Sequence, residues 1–265
     1  MENKKIAIVT GGTRGMGKAI SEALAEKGNI VYAIYRSDEA SAQETLRAMQ
    51  AYDPRNAVYK LDVADENAIA SFVSDIGAQH GRIDILVNNA GIFGFNYMSE
   101  MTSDYLRNVW EVNFMSQYLM TKYVAAYMKK NNYGRVLNAS SISGKFADGG
   151  LIAYGVSKAS VDILTQISAA ELGPYNITVN AYAPGIIHTD MTATMIQERG
   201  NEQKGDLCIN RFGAVKDVSA LVCFLASPEA GYITGEIIGV DGGMFKVQNA
   251  YLAHRKAQDE KNSFL

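Results

Sequence analysis

The stretch Lys5-Ile6-Ala7-Ile8-Val9-Thr10-Gly11-Gly12-Thr13-Arg14-Gly15-Met16-Gly17 decides how the rest of the chain is read. Its first half, Lys5–Thr10, is a short apolar run, and it predicts a strand buried on both faces. Its second half is a glycine-rich turn, and a helix is predicted to follow near 17–27. Glycines let the backbone turn sharply and approach a phosphate, and the free N–H groups of a helix start favour anions. The spacing is Gly-x3-Gly-x-Gly rather than Gly-x-Gly-x-x-Gly, so the turn alone marks a nucleotide site and nothing finer.

The same alternation continues outward. Strands are predicted at Ile30–Tyr35, Ala57–Asp62, Ile83–Asn88, Arg135–Ala139, Ile177–Ala181 and Glu236–Val240. Helices are predicted near 39–50, 66–79, 103–130, 152–172 and 217–226, with Gly173-Pro174 stopping the fifth of the six. Repeated βα units build an α/β, doubly wound, Rossmann-like parallel sheet of about seven strands with helices on both faces. One domain is expected over residues 1–243. Between Ile186 and Phe212 the sequence is polar, Met-rich and weakly periodic, so residues 186–212 are expected to be a substrate loop acting as a lid. Residues 244–265 form a C-terminal extension, expected as a short mixed-charge helix or a frayed end closed by Phe264-Leu265.

Of 265 residues, 48% are hydrophobic and 20% charged, which excludes a disordered or fibrous chain. Twenty-five Lys and Arg stand against 28 Asp and Glu, a net charge of −3. Nucleic acid and anionic membrane are therefore not expected partners. No apolar run reaches the ~18 residues of a membrane span. Ile6–Val9 is too short for a signal-peptide core, so a cytoplasmic protein is expected. Cys208 and Cys223 form no CxxC, and His80, His188 and His254 are scattered. No metal is expected.

Tyr154 and Lys158 lie four apart at the start of a predicted helix and so share one face. An unaided phenol ionises at about pH 10, and an adjacent ammonium lowers that value. Ser141 ends the fifth strand, at the sheet edge where open α/β sheets bind ligands.

With these residues the sequence resembles the classical short-chain dehydrogenase/reductase family, from Lys4 to about Gly243. The resemblance rests on Thr10-Gly11-x3-Gly15-x-Gly17, Asp62-Val63, Asn88-Asn89-Ala90-Gly91, Asn113, Ser141, Tyr154-x3-Lys158, Pro184-Gly185 and Asp241-Gly242-Gly243, all in the family's order. It implies an oxidoreductase that moves a hydride between a nicotinamide and a ketone or secondary alcohol. Tyr154 is then the acid/base and Ser141 orients the carbonyl. Lys158 binds the nicotinamide ribose and lowers the tyrosine's pKa, and Asn113 holds a water in a proton relay. Ser140 and Ser143 also lie near the strand end; the family's spacing selects Ser141. The cofactor contacts implied are Gly11, Thr13, Arg14, Gly15, Met16 and Gly17 in the turn, with Asp62 and Val63 at the adenine. Asn89, Ala90 and Gly91 follow along the ribose, then Pro184, Gly185, Ile187 and Thr189 near the carboxamide. A homotetramer is implied as well.

The second strand ends Ile34-Tyr35-Arg36-Ser37, without the carboxylate that favours NAD. Arg14, Arg36 and Ser37 suit a phosphate monoester, so NADP is expected, with NAD kept possible by Asp38. Substrate contacts are expected from Ile92–Met98, Gly144–Leu151 and Ile186–Met195. These segments supply Phe93, Phe95, Tyr97, Phe146, Met191 and Met195, an apolar set.

Two kinds of relative suggest substrates, 3-oxoacyl-carrier-protein reductases and bacterial hydroxysteroid dehydrogenases. The reductases commonly dock an acidic carrier through arginines just before the fifth and sixth strands. Here Asn132 and Tyr175 stand there, with Lys129 and Lys130 nearby. The expectation is therefore a free hydrophobic ketone or alcohol such as a steroid or bile acid. The alternative is 3-oxoacyl-carrier-protein reduction, and the non-enzyme alternative is a nucleotide-binding regulatory protein. Met244, Phe245, Tyr251 and Leu252 in the tail are expected to stabilise the tetramer and help close the cleft.

Overall fold

A computed structural model describes residues 4–263; Met1–Asn3 and the Phe264-Leu265 pair expected to close the tail lie outside the described residues. Seven parallel strands form one sheet among them: β1 (Ile6–Val9), β2 (Ile30–Tyr35), β3 (Ala57–Lys60), β4 (Ile85–Asn88), β5 (Gly134–Ala139), β6 (Ile177–Pro184) and β7 (Ile237–Val240). Their order is β3-β2-β1-β4-β5-β6-β7. The five inner strands are buried along their whole length, whereas β3 and β7 are partly open. That matches their sequences, continuous apolar runs in the centre and Tyr59-Lys60 at one edge.

Nine helices are described: α1 (Gly15–Glu26), α2 (Glu39–Gln50), α3 (Glu66–His80), α4 (Ser103–Trp110), α5 (Ser116–Lys130), α6 (Ile152–Leu172), α7 (Asp190–Lys204), α8 (Val215–Ala226) and α9 (Ala250–Ser263). On one face of the sheet Ile20 and Leu24 of α1, Met49 of α2, and Val222 and Leu225 of α8 join Val9, Val87 and Tyr182 in one core. On the other, Phe72 and Ile76 of α3, Met120 and Val124 of α5, and Leu172 of α6 cover Ile8, Leu86 and Val136. Strand order reverses between β1 and β4, and the two turns that leave them meet there: the Thr10 N–H donates to the Val87 carbonyl at 3.0 Å. Such a switch point is where doubly wound sheets bind ligands.

Two regions differ from the sequence reading, and the tail takes the helical one of its two expected forms. The helix predicted over 103–130 is interrupted by a π-helical turn, Glu111–Met115, of the kind that often re-aims a functional side chain. Residues 186–212 are not an irregular loop, because α7 fills the middle of them. Thr192 Oγ1 accepts from the Thr189 N–H at 3.1 Å and caps its start. Only Met195 and Ile196 of α7 pack onto Ile186, Leu207 and Met244, too few apolar residues to leave a helical period in the sequence. The tail is helical as α9, and His254 Nε2 is hydrogen-bonded to the Leu207 carbonyl at 2.8 Å. No helix among the described residues is long and apolar enough to cross a membrane.

Candidate active site

The glycine turn is shaped by contacts that no other residue would allow. A Cβ on Gly17 would lie 2.0 Å from the Gly11 carbonyl oxygen, and Gly11 and Gly15 have φ of +59° and +51°. Asn89 braces this turn from β4: its Nδ2 donates to the Thr10 and Gly11 carbonyls, each at 3.1 Å. The N–H groups of Asn89 and Ala90 donate to Thr10 Oγ1 at 2.9 and 3.0 Å. Behind them the Tyr182 hydroxyl donates to Asn89 Oδ1 at 3.1 Å.

A cavity of about 530 Å³ lies over this turn, lined by Gly11, Thr13, Arg14, Gly15, Met16, Gly17, Asn89, Ala90 and Gly91, and at its far end by Arg36, Ser37, Asp62 and Val63. Arg14 Nη1 lies 3.7 Å from Asp38 Oδ2. The same carboxylate caps α2 by accepting from the Ser41 N–H and hydroxyl, which holds its pKa below the usual carboxylate value.

A second cavity, about 690 Å³, continues from the first, and Met16, Gly91, Ile92, Phe93, Thr189 and Met191 line both. Ser141 stands at its base, just past β5, with its Oγ accepting from the Ser143 N–H at 3.1 Å. Tyr154 and Lys158 enter from the first turns of α6. Phe93 meets the Tyr154 ring edge-on at 5.1 Å between centroids. Burial raises the Tyr154 pKa, and a hydrogen bond with Ser141 opposes that rise. The lowered phenol expected from the ammonium is not found here. Lys158 Nζ is 5.6 Å from the ring centroid and donates instead to the Ala139 carbonyl at 2.7 Å. Burial in turn depresses Lys158 to about 8, with Asp162 pulling the other way. Asp162 is itself raised by burial, and accepts from the Ser140 hydroxyl.

Asn113 lies in the π-helical turn and is fully buried. Its Oδ1 accepts from the Ile92 N–H at 2.8 Å, and its Nδ2 donates to the Ile92 carbonyl at 2.9 Å and Ser157 Oγ at 3.1 Å. Gln117 Nε2 donates to the Asn113 carbonyl at 3.0 Å and to the Ala139 carbonyl at 3.2 Å, tying the Asn113 turn to the carbonyl that holds Lys158.

The structure thus brings every cofactor candidate into one groove, with Pro184, Gly185 and Ile187 in the deeper cavity beside Tyr154. Phe93, Phe95, Phe146, Met191 and Met195 line that cavity too, whereas Tyr97 lines neither. Sequence reasoning missed Arg199 of α7 and Asp206 just after it, and did not single out Lys145 and Asp148 within the Gly144–Leu151 segment; together they put two charges of each sign on this cavity. It also missed Tyr182, which carried no signal beyond being apolar enough for a strand. A continuous groove from Arg36 to Tyr154, running over a glycine turn packed too closely to admit side chains, fits an extended dinucleotide.

Comparison with known proteins gives the same picture. Residues 11–245 match the family model described as Enoyl-(Acyl carrier protein) reductase. The chain is 37% identical to the 3-oxoacyl-(acyl-carrier-protein) reductase FabG of Vibrio harveyi, over 92% of this chain and 98% of that protein. It is 36% identical to the same-named enzyme of Escherichia coli, again over 92% and 98%. A double mutant of a Serratia marcescens short-chain dehydrogenase/reductase superposes with a TM-score of 0.85 at 33% identity, over 90% of this chain and 97% of that one. On its motifs, its sheet and these relatives, the chain belongs to the short-chain dehydrogenase/reductase family.

Proposed function

We propose that this chain is an NADPH-dependent reductase of 3-oxoacyl thioesters. As a member of its family it is an oxidoreductase acting between a carbonyl and an alcohol with NAD(P)H. The observation that carries the finer reading is the Ser141–Tyr154 pair: two hydroxyl side chains on the wall of one largely apolar cavity, near enough that Ser141 lowers the Tyr154 pKa, in a cavity that continues into the nucleotide groove. Two donors side by side suit one developing oxyanion. The relatives named above are enzymes of 3-oxoacyl carriers, and this moves the reading from the steroid or bile acid to the 3-oxoacyl alternative.

The residues divide the work as follows. Ser141 donates to the substrate carbonyl oxygen and fixes its direction. Tyr154, its pKa raised by burial, holds its proton at neutral pH and gives it to that oxygen. Lys158, at about 8, is mostly charged at pH 7 and faces the phenolate left behind. Asn113 and Gln117 hold the backbone around Ile92 and Ala139 so that Lys158 has one position. A nicotinamide bound between Gly91, Pro184 and Thr189 would supply the hydride, and Arg14, Arg36 and Ser37 would take the 2′-phosphate of NADPH.

The family description names an enoyl reductase, so a second reading is reduction of a 2-enoyl thioester. The Ser141–Tyr154 pair favours the ketone, because both donors address a single oxygen. The experiment is a panel of 3-oxoacyl and 2-enoyl thioesters, steroids and sugars, read by NADPH absorbance. Oxidation of NADPH with the 3-oxoacyl thioesters and none with the enoyl ones is expected. A steroid or enoyl thioester preferred by tenfold overturns the reading.

We also infer a homotetramer. Val156, Ile163 and Ile167 expose one apolar stripe of α6, all more than half open. Light scattering of a single species at four times the 28.8 kDa chain mass is the expected result.

A further inference from the structure

We propose that the turn after β7 carries an aromatic gate, Phe245 against Phe146, that makes this site select 3-oxoacyl chains longer than four carbons. The proposal rests on the reductase reading above and adds which chain the cavity takes.

The turn Asp241-Gly242-Gly243-Met244-Phe245-Lys246 is built to hold one side chain in place. Phe245 has a φ of +58°, a left-handed conformation that a residue with a Cβ rarely adopts. The surrounding bonds keep it there. Asp241 is buried; its Oδ1 accepts from the Gly243 N–H at 2.9 Å, and its Oδ2 pairs with Lys246 Nζ at 3.1 Å. The Ile209 N–H donates to the Gly242 carbonyl at 3.0 Å, and Met244 is buried against Ile186 and Leu207.

So fixed, Phe245 lies 5.4 Å from the Phe146 ring, tilted by 53°. Both line the 690 Å³ cavity that holds Ser141 and Tyr154. They remain 46% and 37% exposed, and Phe95, on the same cavity, is 41% exposed. A pair of half-open rings at a cavity wall is apolar surface that a ligand can cover. Met195 and Met244 stand beside them, unbranched side chains that adjust to a flexible alkyl tail. A 3-oxobutyryl group, with one methyl beyond its ketone, has no atoms to place against this wall. A longer acyl chain does, and each methylene it buries is worth about fourfold in affinity. A rigid polycyclic ketone would need the rings to part, which the braced turn resists.

The test is kcat/KM for 3-oxobutyryl, 3-oxooctanoyl and 3-oxododecanoyl N-acetylcysteamine thioesters, in the wild type and in Phe245→Ala, Phe146→Ala and Phe245→Leu. The wild type is expected to prefer the octanoyl over the butyryl thioester by more than about tenfold, mainly through KM. Either alanine variant should reduce that ratio at least fivefold, and Phe245→Leu should restore most of it. Cofactor binding and a melting curve show that each variant is folded. A wild-type ratio near one, or a ratio unchanged in both alanine variants, overturns the gate while leaving the reductase intact. Failure to reduce thioesters of any length removes the reductase reading and the gate with it.

Discussion

The Tyr182 hydroxyl donates to Asn89 Oδ1 at 3.1 Å, and Asn89 Nδ2 donates onward to the Thr10 and Gly11 carbonyls. A fully buried phenol on β6 therefore reaches past β5 to brace the glycine turn after β1. Removing it leaves Asn89 Oδ1 without that donor at the wall of the nucleotide groove. Tyr182→Phe keeps the ring and loses only that bond. It is expected to cost about 1–2 kcal/mol in a melting experiment. Cofactor affinity should weaken several-fold in a fluorescence titration, with kcat within a factor of two. Unchanged affinity would mean that Asn89 needs no brace.

The nucleotide preference rests on two arginines that are not equivalent. Arg14 shares its charge with Asp38 at 3.7 Å, whereas Arg36 lines the same cavity without an ion pair among the described residues. Replacing both by alanine should raise the KM for NADPH more than about tenfold and spare NADH, since charge-assisted hydrogen bonds are worth about 1.5–3 kcal/mol each. Arg36→Ala alone should account for the larger part. Equal losses with NADH and NADPH would remove the 2′-phosphate from this position.

Lys158 weakens the fold that it serves. Its folded pKa, about 8, lies below its ordinary 10.5, because burial disfavours the ammonium. Below pH 8 both states hold the proton, and the folded state bears the whole cost of the buried charge. Between pH 8 and 10.5 the unfolded chain binds a proton that the folded chain does not, so this group makes stability rise with pH. Lys158→Met should abolish turnover yet stabilise the protein at pH 7 by on the order of 1–3 kcal/mol. The Ala139 carbonyl keeps Gln117 as a donor, and the lost attraction to Asp162, smaller than the cost of burial, offsets only part of that gain. The advantage should shrink in melts taken from pH 8 to pH 10.5. A variant less stable than the wild type at pH 7 contradicts this.

How much of this was legible before the structure depends on where each signal lies in the chain. The strands and α1, α2, α3 and α6 are local features, and their periodicity sits in the residues themselves. Ile30–Tyr35, 39–50 and 152–172 end where the sequence puts them. The glycine turn is legible from its place between a strand and a helix, whereas Ser141, Tyr154 and Lys158 stand out only through the resemblance to the family, since a Tyr-x3-Lys pair is common on helix surfaces. What was hidden depends on distant partners. The helicity of α7 is settled by Leu207 and Met244, and the reach of Tyr182 by Asn89, 93 residues away in the chain. The elevated phenol of Tyr154 follows from the partial burial of its ring at the cavity wall, which no local pattern reveals.

The most direct test is single-turnover reduction of a 3-oxoacyl thioester by wild type and Tyr154→Phe, followed through NADPH absorbance, with NADPH affinity measured alongside by titration. The substitution removes one hydroxyl from a partly buried ring and leaves its edge-on contact with Phe93 in place. The wild type should consume NADPH. The variant should bind NADPH within about twofold of the wild type and lose at least ~10²-fold in turnover, the lower end of what a positioned proton donor contributes. Wild-type turnover in Tyr154→Phe would show that the substrate oxygen takes its proton from elsewhere, and that Ser141, Tyr154 and Lys158 are not the reacting centre.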